Sequence, residues 1–421
     1  MNADRRTADL YQWYASLAEA SFWVPVFFLY FASYMPLDAV LLLEALYFLS
    51  VVTIEVPSGW LADRIGRRPT MLAGAVLMAA SHLMLFTGPW LMAGDSMGSP
   101  LFIFFAIGQG LRAAGVAFRS GTDTALHHDA LSACGKVDEF AAREARASKR
   151  RFLGASAAAL IGGGVAVIDL RLPYACSFIV AVAMIVVITR MREPSAGADA
   201  RTRSNILSQA GACFALWKSP ALLLLFVFAA MMLVLNHVPY EYFQPYIEAS
   251  LGQDGLAVAT TPLVMGLHVA VTFWIASLVS ARSIRIRNRV GLWGVLLIAM
   301  SLQVLTIGLM SLWLSPLIVV FLLLRSCPRA IMTPPLNAAV TGAVPTKLRA
   351  TYLSLQSFVG RLSFSGALFM LTFVVPAAAV TAWPTIRTQL ALAAIGSLGF
   401  LAFVAVVTII RRRRDDQLGA A

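Results

Sequence analysis

The sequence predicts an all-α membrane protein: twelve transmembrane helices in two pseudo-symmetric six-helix bundles, with both termini cytoplasmic. Three observations carry that expectation. The 421 residues are 59% hydrophobic and 13% charged, with a mean hydropathy of +0.77, whereas soluble domains carry about 25% charged residues. The apolar residues gather into runs close to the roughly 20 that a helix needs to cross a bilayer. The excess of cations, 33 Lys and Arg against 21 Asp and Glu, is scattered in small clusters between those runs, which points to membrane orientation rather than to nucleic acid.

The elements follow in order. Arg5 and Arg6 precede the first span, 11–34; Met1 to Arg6 is short and polar and no small-residue cleavage site ends the run, so no cleavable signal peptide is expected. After the second span, 38–58, come Arg64, Arg67 and Arg68. The third and fourth spans, 70–93 and 100–119, lead to seven cations between Arg119 and Arg151. The fifth and sixth, 152–169 and 173–190, lead to five between Arg190 and Lys218. Spans 220–243 and 256–280 precede four cations from Arg282 to Arg289. Spans 290–313 and 316–340 precede Lys347 and Arg349, and spans 351–376 and 388–410 end at Arg411 to Arg414. In this register 27 cations lie inside, only Arg171 and Arg387 lie outside, and Arg112, Arg325, Arg329 and Arg361 lie within spans. Such asymmetry implies an even number of spans. The spans are helices because an unpaired backbone group in lipid costs several kcal/mol, and no alternating strand pattern occurs.

Two inner connections are long. Residues 120–151 are polar and helix-compatible, and predict short surface helices. Residues 191–219 begin flexible and end in an amphipathic stretch suited to the headgroup level. They separate an N-terminal bundle, 1–190, from a C-terminal bundle, 220–421. A faint repeat supports the division: Gly59 to Arg67 aligns with Ser277 to Arg285 at an offset of about 218 residues, the second copy having lost the glycines and the acid. Parallel halves of this kind are a transporter architecture.

The stretch Gly59-Trp60-Leu61-Ala62-Asp63-Arg64-Ile65-Gly66-Arg67-Arg68 resembles the signature loop of the major facilitator superfamily between helices two and three, and the resemblance covers the whole chain. Gly59 would let helix two approach a neighbour closely, and Gly66 would allow a tight turn. Asp63 can face the positive end of another helix. The resemblance implies that this end is the start of helix eleven, near Arg349-Ala350-Thr351. It also implies that Arg67 reaches an acid at the inner end of helix four, with Asp123 as the candidate. Together with Glu55, these residues would form a cytoplasmic gate that closes in the outward-open state. A second family motif is present in outline as Gly154, Ala158-Ala159 and Gly162-Gly163. Exporters of the superfamily tend to carry Gly-Pro where this chain has the alanine pair.

Charges at mid-bilayer cost at least about 2.5–3.5 kcal/mol and normally face a cavity. Glu19, with Trp23 one turn on, is the candidate proton carrier, together with Arg112; a static Glu19–Arg112 ion pair is the alternative. Arg112, Arg325 and Arg361 suit a carboxylate-bearing solute, since guanidinium presents a planar fork that stays charged. Asn236, Tyr240 and Gln244 recur on one face of helix seven, where Pro239 and Pro245 loosen the backbone, and suggest a broken, pore-facing helix end as an outer gate, with a plain aromatic belt at the interface as the alternative. His268 is placed with the substrate residues, although a helix–helix hydrogen bond is its commoner role. Glu44, Glu241 and Arg329 complete the ionisable set, with Arg329 expected to line nothing.

His127-His128-Asp129 lacks further ligands at metal spacing, so no metal or cofactor is expected. Cys134, Cys176, Cys213 and Cys327 give no disulfide framework. No nucleotide loop, hydrolase elbow or Cys-x-x-Cys occurs, so neither enzymatic chemistry nor coupling to ATP is expected. The expectation is a proton-coupled secondary transporter of a small anionic or zwitterionic organic solute. It would be a monomer in a bacterial inner membrane with no nucleic-acid partner, and uptake is favoured. The alternatives are efflux by proton antiport and a non-transporting receptor or scaffold.

Overall fold

The computed structural model describes residues 3–35, 37–96, 98–193, 206–252, 262–374 and 383–419. All regular structure among them is helical: α1 (Ala3–Ala18), α2 (Phe27–Ala32), α3 (Leu37–Ile65), α4 (Arg67–Leu91), α5 (Pro100–Arg119), α6 (Thr122–Ala133), α7 (Phe140–Ala166), α8 (Leu172–Thr189), α9 (Ile206–Ala215), α10 (Pro220–Gly252), α11 (Pro262–Leu312), α12 (Pro316–Phe321), α13 (Cys327–Ala343), α14 (Arg349–Val374) and α15 (Trp383–Gly419). Seven helices are long and apolar enough to cross a membrane, and an eighth if the two parts of α3, bent by 42° at the Pro57 step, count as one. One of the seven, α11, holds two of the expected spans, separated at Gly291 by a left-handed residue (φ 76°). The first, fifth and eleventh expected spans do not pass this test. α1 is polar along much of its length, and the first half of α7 carries Arg143 to Arg151.

Four boundaries differ from the expected ones for local reasons. The first span is not continuous: α1 ends at Ala18 and α2 begins at Phe27, because Pro25 has no N–H to give to Ser21 and the intervening residues form turns. The surface segment and the fifth span share one helix, α7, since no glycine or proline interrupts residues 140–153. Conversely, α10 runs through Pro239 and Pro245 without a break, so the expected interruption of helix seven is absent. The tenth span instead breaks near its middle, where Leu322–Leu324 tightens to 3-10 geometry ahead of Pro328.

Helix starts follow ordinary capping rules. Ser99 Oγ accepts from Phe102 N at 3.2 Å, with Pro100 in the first turn of α5. Gly66 takes φ 109° between α3 and α4, and the two exposed amides of α4 donate to one carboxylate, Glu193, at 2.8 Å each.

The buried apolar side chains form one large cluster in the C-terminal half, around Phe228, Met300, Ile307 and Leu390. In the N-terminal half the two largest clusters are separate. One lies around Tyr11, Met71 and Met184, the other around Tyr30, Leu43, Phe105 and Tyr174. Leu160, Ile161, Ile179, Leu317 and Ile395 stand exposed on the outer faces. Apolar side chains outside as well as inside are what a lipid solvent demands.

Candidate functional site

A cluster of buried charges lies where α3, α4 and α6 of the first half meet α14 of the second. Gly59 makes the approach: a Cβ there would stand 2.7 Å from Cβ of Ser354. One turn on, Asp63 Oδ2 accepts from the Thr351 amide at 3.0 Å and from its hydroxyl at 2.7 Å, at the open N-terminus of α14. Arg67 lies 3.6 Å from Asp63 and donates to the Thr346 carbonyl at 2.9 Å.

The acid that Arg67 grips is Asp129, not Asp123. The chain turns at Gly121 (φ 68°), and the new helix α6 carries Asp129 back beneath α4 while Asp123 faces away. Asp129 also accepts from Arg349 Nη1 at 2.6 Å, so one carboxylate is held between a guanidinium of each half. Asp123 pairs with Arg151 at 3.2 Å. Arg151 in turn reaches Glu144 at 2.8 Å and the Tyr11 hydroxyl. Burial alone would raise the Glu144 pKa, but Arg151 and the His127 ring bring it down to about 2. His127 is thus spent on Glu144, at 3.1 Å.

The remaining loop residues divide by role. Arg68 donates to the Ile188 and Thr189 carbonyls at the end of α8, within its own half. Arg64 is exposed and lies over the Trp60 ring at 5.1 Å. Glu55 is fully buried and meets Arg361 of α14 at 3.7 Å, which joins two residues that the sequence reading had assigned to different sites.

Deeper in the first half, the break after α1 decides the surroundings of Glu19. The open C-terminus of α1 leaves the Ala18 carbonyl free, and Arg119 donates to it while its other nitrogen meets Glu19 at 3.1 Å. A cation at a helix C-terminus is favoured by the helix dipole. The partner of Glu19 is therefore Arg119, not Arg112.

Arg112 has a different environment. It is 3% exposed, and its guanidinium lies 4.2 Å from the Trp23 ring, 4.0 Å from Tyr47 and 5.3 Å from Phe27. Among the described residues it has no ion pair, and its Nε has no acceptor. Around it stand other buried polar atoms without partners: both ends of Gln109, both nitrogens of His82, Trp23 Nε1 and the Tyr174 hydroxyl. Glu44 is close enough for its charge to act on that of Arg112 without forming an ion-pair contact. Each buried unsatisfied donor costs about 1–3 kcal/mol, so this is a site with donors to spare.

The second half presents a counterpart. Arg325, also buried, lies 4.2 Å from the Phe243 ring and donates to Thr272 Oγ1 at 2.8 Å and to His268 Nδ1 at 3.2 Å. His268 bridges α11 to the Val319 carbonyl of α12 at 3.3 Å, a helix–helix contact. In each half a buried arginine lies against an aromatic ring from the first span, with no carboxylate partner among the described residues, but its second-span contact is the Tyr47 ring for Arg112 and the Thr272 and His268 side chains for Arg325.

Arg112, Arg325 and Arg361 thus occupy three separate environments. Asn236 Oδ1 is buried without a hydrogen-bond partner, while Tyr240 on the same helix is 43% exposed. The side chains of Gln244 and Glu241 lie outside the described residues. Arg329 stacks on Phe152 at 5.9 Å. Glu193, Tyr47 and Phe243 carried no signal in the sequence, while Asp129 stands out there only in a rejected metal motif, Arg349 only as the start of helix eleven and Arg119 only as an inner cation.

Comparison with solved structures places this arrangement. The chain superimposes on the human organic anion transporter TETRAN with a TM-score of 0.67 at 17% identity, over 94% of this chain and 99% of that one. The chain has the major facilitator fold. The outward-facing major facilitator superfamily transporter FucP aligns with a TM-score of 0.67 at 14% identity, over 96% of this chain and 99% of that one. A bacterial homologue of the iron transporter ferroportin, also outward-facing, gives 0.65 at 14% identity, over 96% and 100%. No family model and no curated protein matches the sequence. By name these major facilitator structures belong to carriers of organic anions and of iron, so the fold alone does not choose a substrate.

Proposed function

We propose that this chain is a secondary active transporter that moves a small anionic or zwitterionic organic solute by proton-coupled alternating access. In this reading twelve spans form two six-helix bundles, 1–190 and 220–421, joined by the 191–219 linker. Both termini are cytoplasmic, and the protein is a monomer in a bacterial inner membrane, with uptake the favoured direction. The observation that carries the reading is Arg112: a buried guanidinium, faced by aromatic rings, with unused donors around it and no acid in contact. A carboxylate on the solute supplies the missing acceptor, and Trp23 and Tyr47 supply a stacking floor. Arg325 offers the matching group from the other half, and closure of the bundles on the solute would bring both halves onto one anion. The Asp63–Arg67–Asp129–Arg349 cluster, with Glu55–Arg361 above it, would then be the latch that holds the cytoplasmic side shut.

The test is a thermal-shift and calorimetric screen of the purified chain with organic acids, nucleosides, sugars and lipophilic cations, since ligands raise the stability of the state they bind. At least one organic acid is expected to bind, and Arg112→Gln is expected to weaken it about 100-fold, the cost of losing a buried charge-assisted contact. Binding of lipophilic cations with no response to any acid would replace this reading with proton-driven efflux. No binding across the panel would favour a receptor or scaffold.

Proton coupling is assigned to Glu19, whose carboxylate, partly exposed, exchanges between a proton and Arg119. Glu19→Gln is expected to leave acid binding measurable while abolishing accumulation driven by a pH gradient in proteoliposomes. Undiminished uphill transport by that variant would remove Glu19 from the mechanism.

A further inference from the structure

We propose that the cleft between α1 and α7 is a binding site for the phosphate headgroup of an anionic phospholipid. A cavity of about 290 Å³ opens there, lined by Asp9, Gln12, Trp13, Arg143, Arg146 and Arg150. The acids nearby are committed: Asp9 and Glu139 meet Arg143 at 2.8 and 2.9 Å. Arg146 and Arg150 have no ion pair among the described residues, so the cleft holds two uncompensated guanidiniums. Arg150 lies over the Trp13 ring at 4.9 Å. Trp13 is 63% exposed, an aromatic ring beside a cation at the level where α7 passes from charged to apolar sequence, which is where tryptophan sits at a membrane interface.

What separates a lipid from a soluble phosphate is the helix face below the cleft. Arg146, Arg150, Leu153, Ala157, Leu160 and Ile161 recur at helical spacing on one face of α7. Arg150 is half-buried and the other five are exposed. The basic cleft therefore continues without interruption into an apolar stripe, about 15 Å long from Arg150 to Leu160 at the helical rise. A molecule with a phosphate at one end and acyl chains at the other fits both parts, and a soluble phosphate fits only the first. Gln12 keeps its Oε1 buried and unpartnered at the rim, an acceptor for a headgroup hydroxyl, and phosphatidylglycerol carries such hydroxyls.

The site stands independently of the transported solute. The full-length chain, exchanged into detergent with defined lipid, is examined by native mass spectrometry with phosphatidylglycerol and with phosphatidylcholine. Retention of phosphatidylglycerol is expected to exceed that of phosphatidylcholine. It should fall about fivefold for each arginine replaced in Arg146→Gln and Arg150→Gln, the scale of one basic residue's attraction to an anionic leaflet. Melting temperatures of the variants serve as the folding control, and Arg150→Lys, which keeps the charge, is expected to retain most of the binding. In vesicles, brominated phosphatidylglycerol is expected to quench a fluorescence component that disappears in Trp13→Phe. Equal retention of the two lipids, unchanged retention in the double variant, or inorganic phosphate competing as well as the lipid would each overturn the proposal.

Discussion

Replacing Asp129 with asparagine is expected to open the protein on the side that the proposed topology places in the cytoplasm. The carboxylate is 1% exposed and lies between Arg67 and Arg349. Its removal as a charge leaves two buried guanidiniums facing each other, with Asp63 still 3.6 Å from Arg67, whereas the acceptor left in contact with Arg349 among the described residues is the Val344 carbonyl, at 3.2 Å. Breaking a buried pair by removing one partner costs about 3–5 kcal/mol, here two contacts for one substitution. If the cluster holds the halves together in one of two states, a cost of 3 kcal/mol shifts their ratio more than 100-fold toward the other. The measurement is maleimide labelling at Ser120→Cys, beside Ser357 of α14 across the interface at 3.4 Å, with Cys134, Cys176, Cys213 and Cys327 replaced. Labelling from the cytoplasmic side should be slow in the parent and fast with Asp129→Asn. Asp123→Asn, which disturbs contacts with Arg151 and Thr124 within the first half, should leave labelling slow. Equal labelling with and without Asp129→Asn, accompanied by a simple drop in melting temperature, would show that the cluster stabilises the fold without gating it.

Asp129 also marks the limit of what the sequence discloses. Hydropathy and cation placement measure position along the chain, so they located the apolar segments, the polar connections and the Gly59–Arg68 motif, although that motif is the end of α3, Gly66 and the start of α4 rather than a loop. They do not measure where the chain turns back. The acid nearest the inner end of α5 in sequence is Asp123, but the left-handed turn at Gly121 delivers Asp129 to Arg67 instead. Arg119 was counted among the inner cations for the same reason, and it reaches Glu19 only because α1 ends at Ala18. That end was hidden because Phe22 to Phe31 stays apolar on both sides of Pro25, and hydropathy does not register a missing amide. The aromatic surroundings of Arg112 were half legible. Trp23 was chosen as a neighbour of Glu19, whereas the helix break turns it toward Arg112, and Tyr47 comes from a different helix with no pattern to announce it. Glu55 reads as part of the cytoplasmic gate and Arg361 as a substrate residue, and only tertiary structure could show that each is the other's partner.

The same break makes Gly162 the position least able to accept a side chain. A Cβ on Gly162 would stand 2.0 Å from the Phe22 carbonyl oxygen and 2.8 Å from its carbon, and one on Gly154 would stand 2.1 Å from the Ser16 carbonyl oxygen. Both obstacles are backbone, so no rotamer change relieves them, and α7 would have to move away from α1 and the turns that follow it. Gly164, two residues on in the same helix, has open space around its Cβ position. Gly162→Ala is therefore expected to cost about 3 kcal/mol or more. Gly164→Ala is expected to be neutral or to stabilise by up to about 1 kcal/mol, the helix-propensity gain of alanine over glycine. Thermal unfolding of the two purified variants makes the comparison. The effect at Gly162 should extend beyond stability, because Phe22 precedes Trp23 and any displacement of that turn lifts the indole from Arg112, 4.2 Å away. A folded fraction of Gly162→Ala should bind organic acids more weakly than the parent, whereas Gly164→Ala should bind them equally well. Similar melting temperatures for the two variants would mean that α7 does not rest on the broken first span, and the geometry drawn around Arg112 would lose its support.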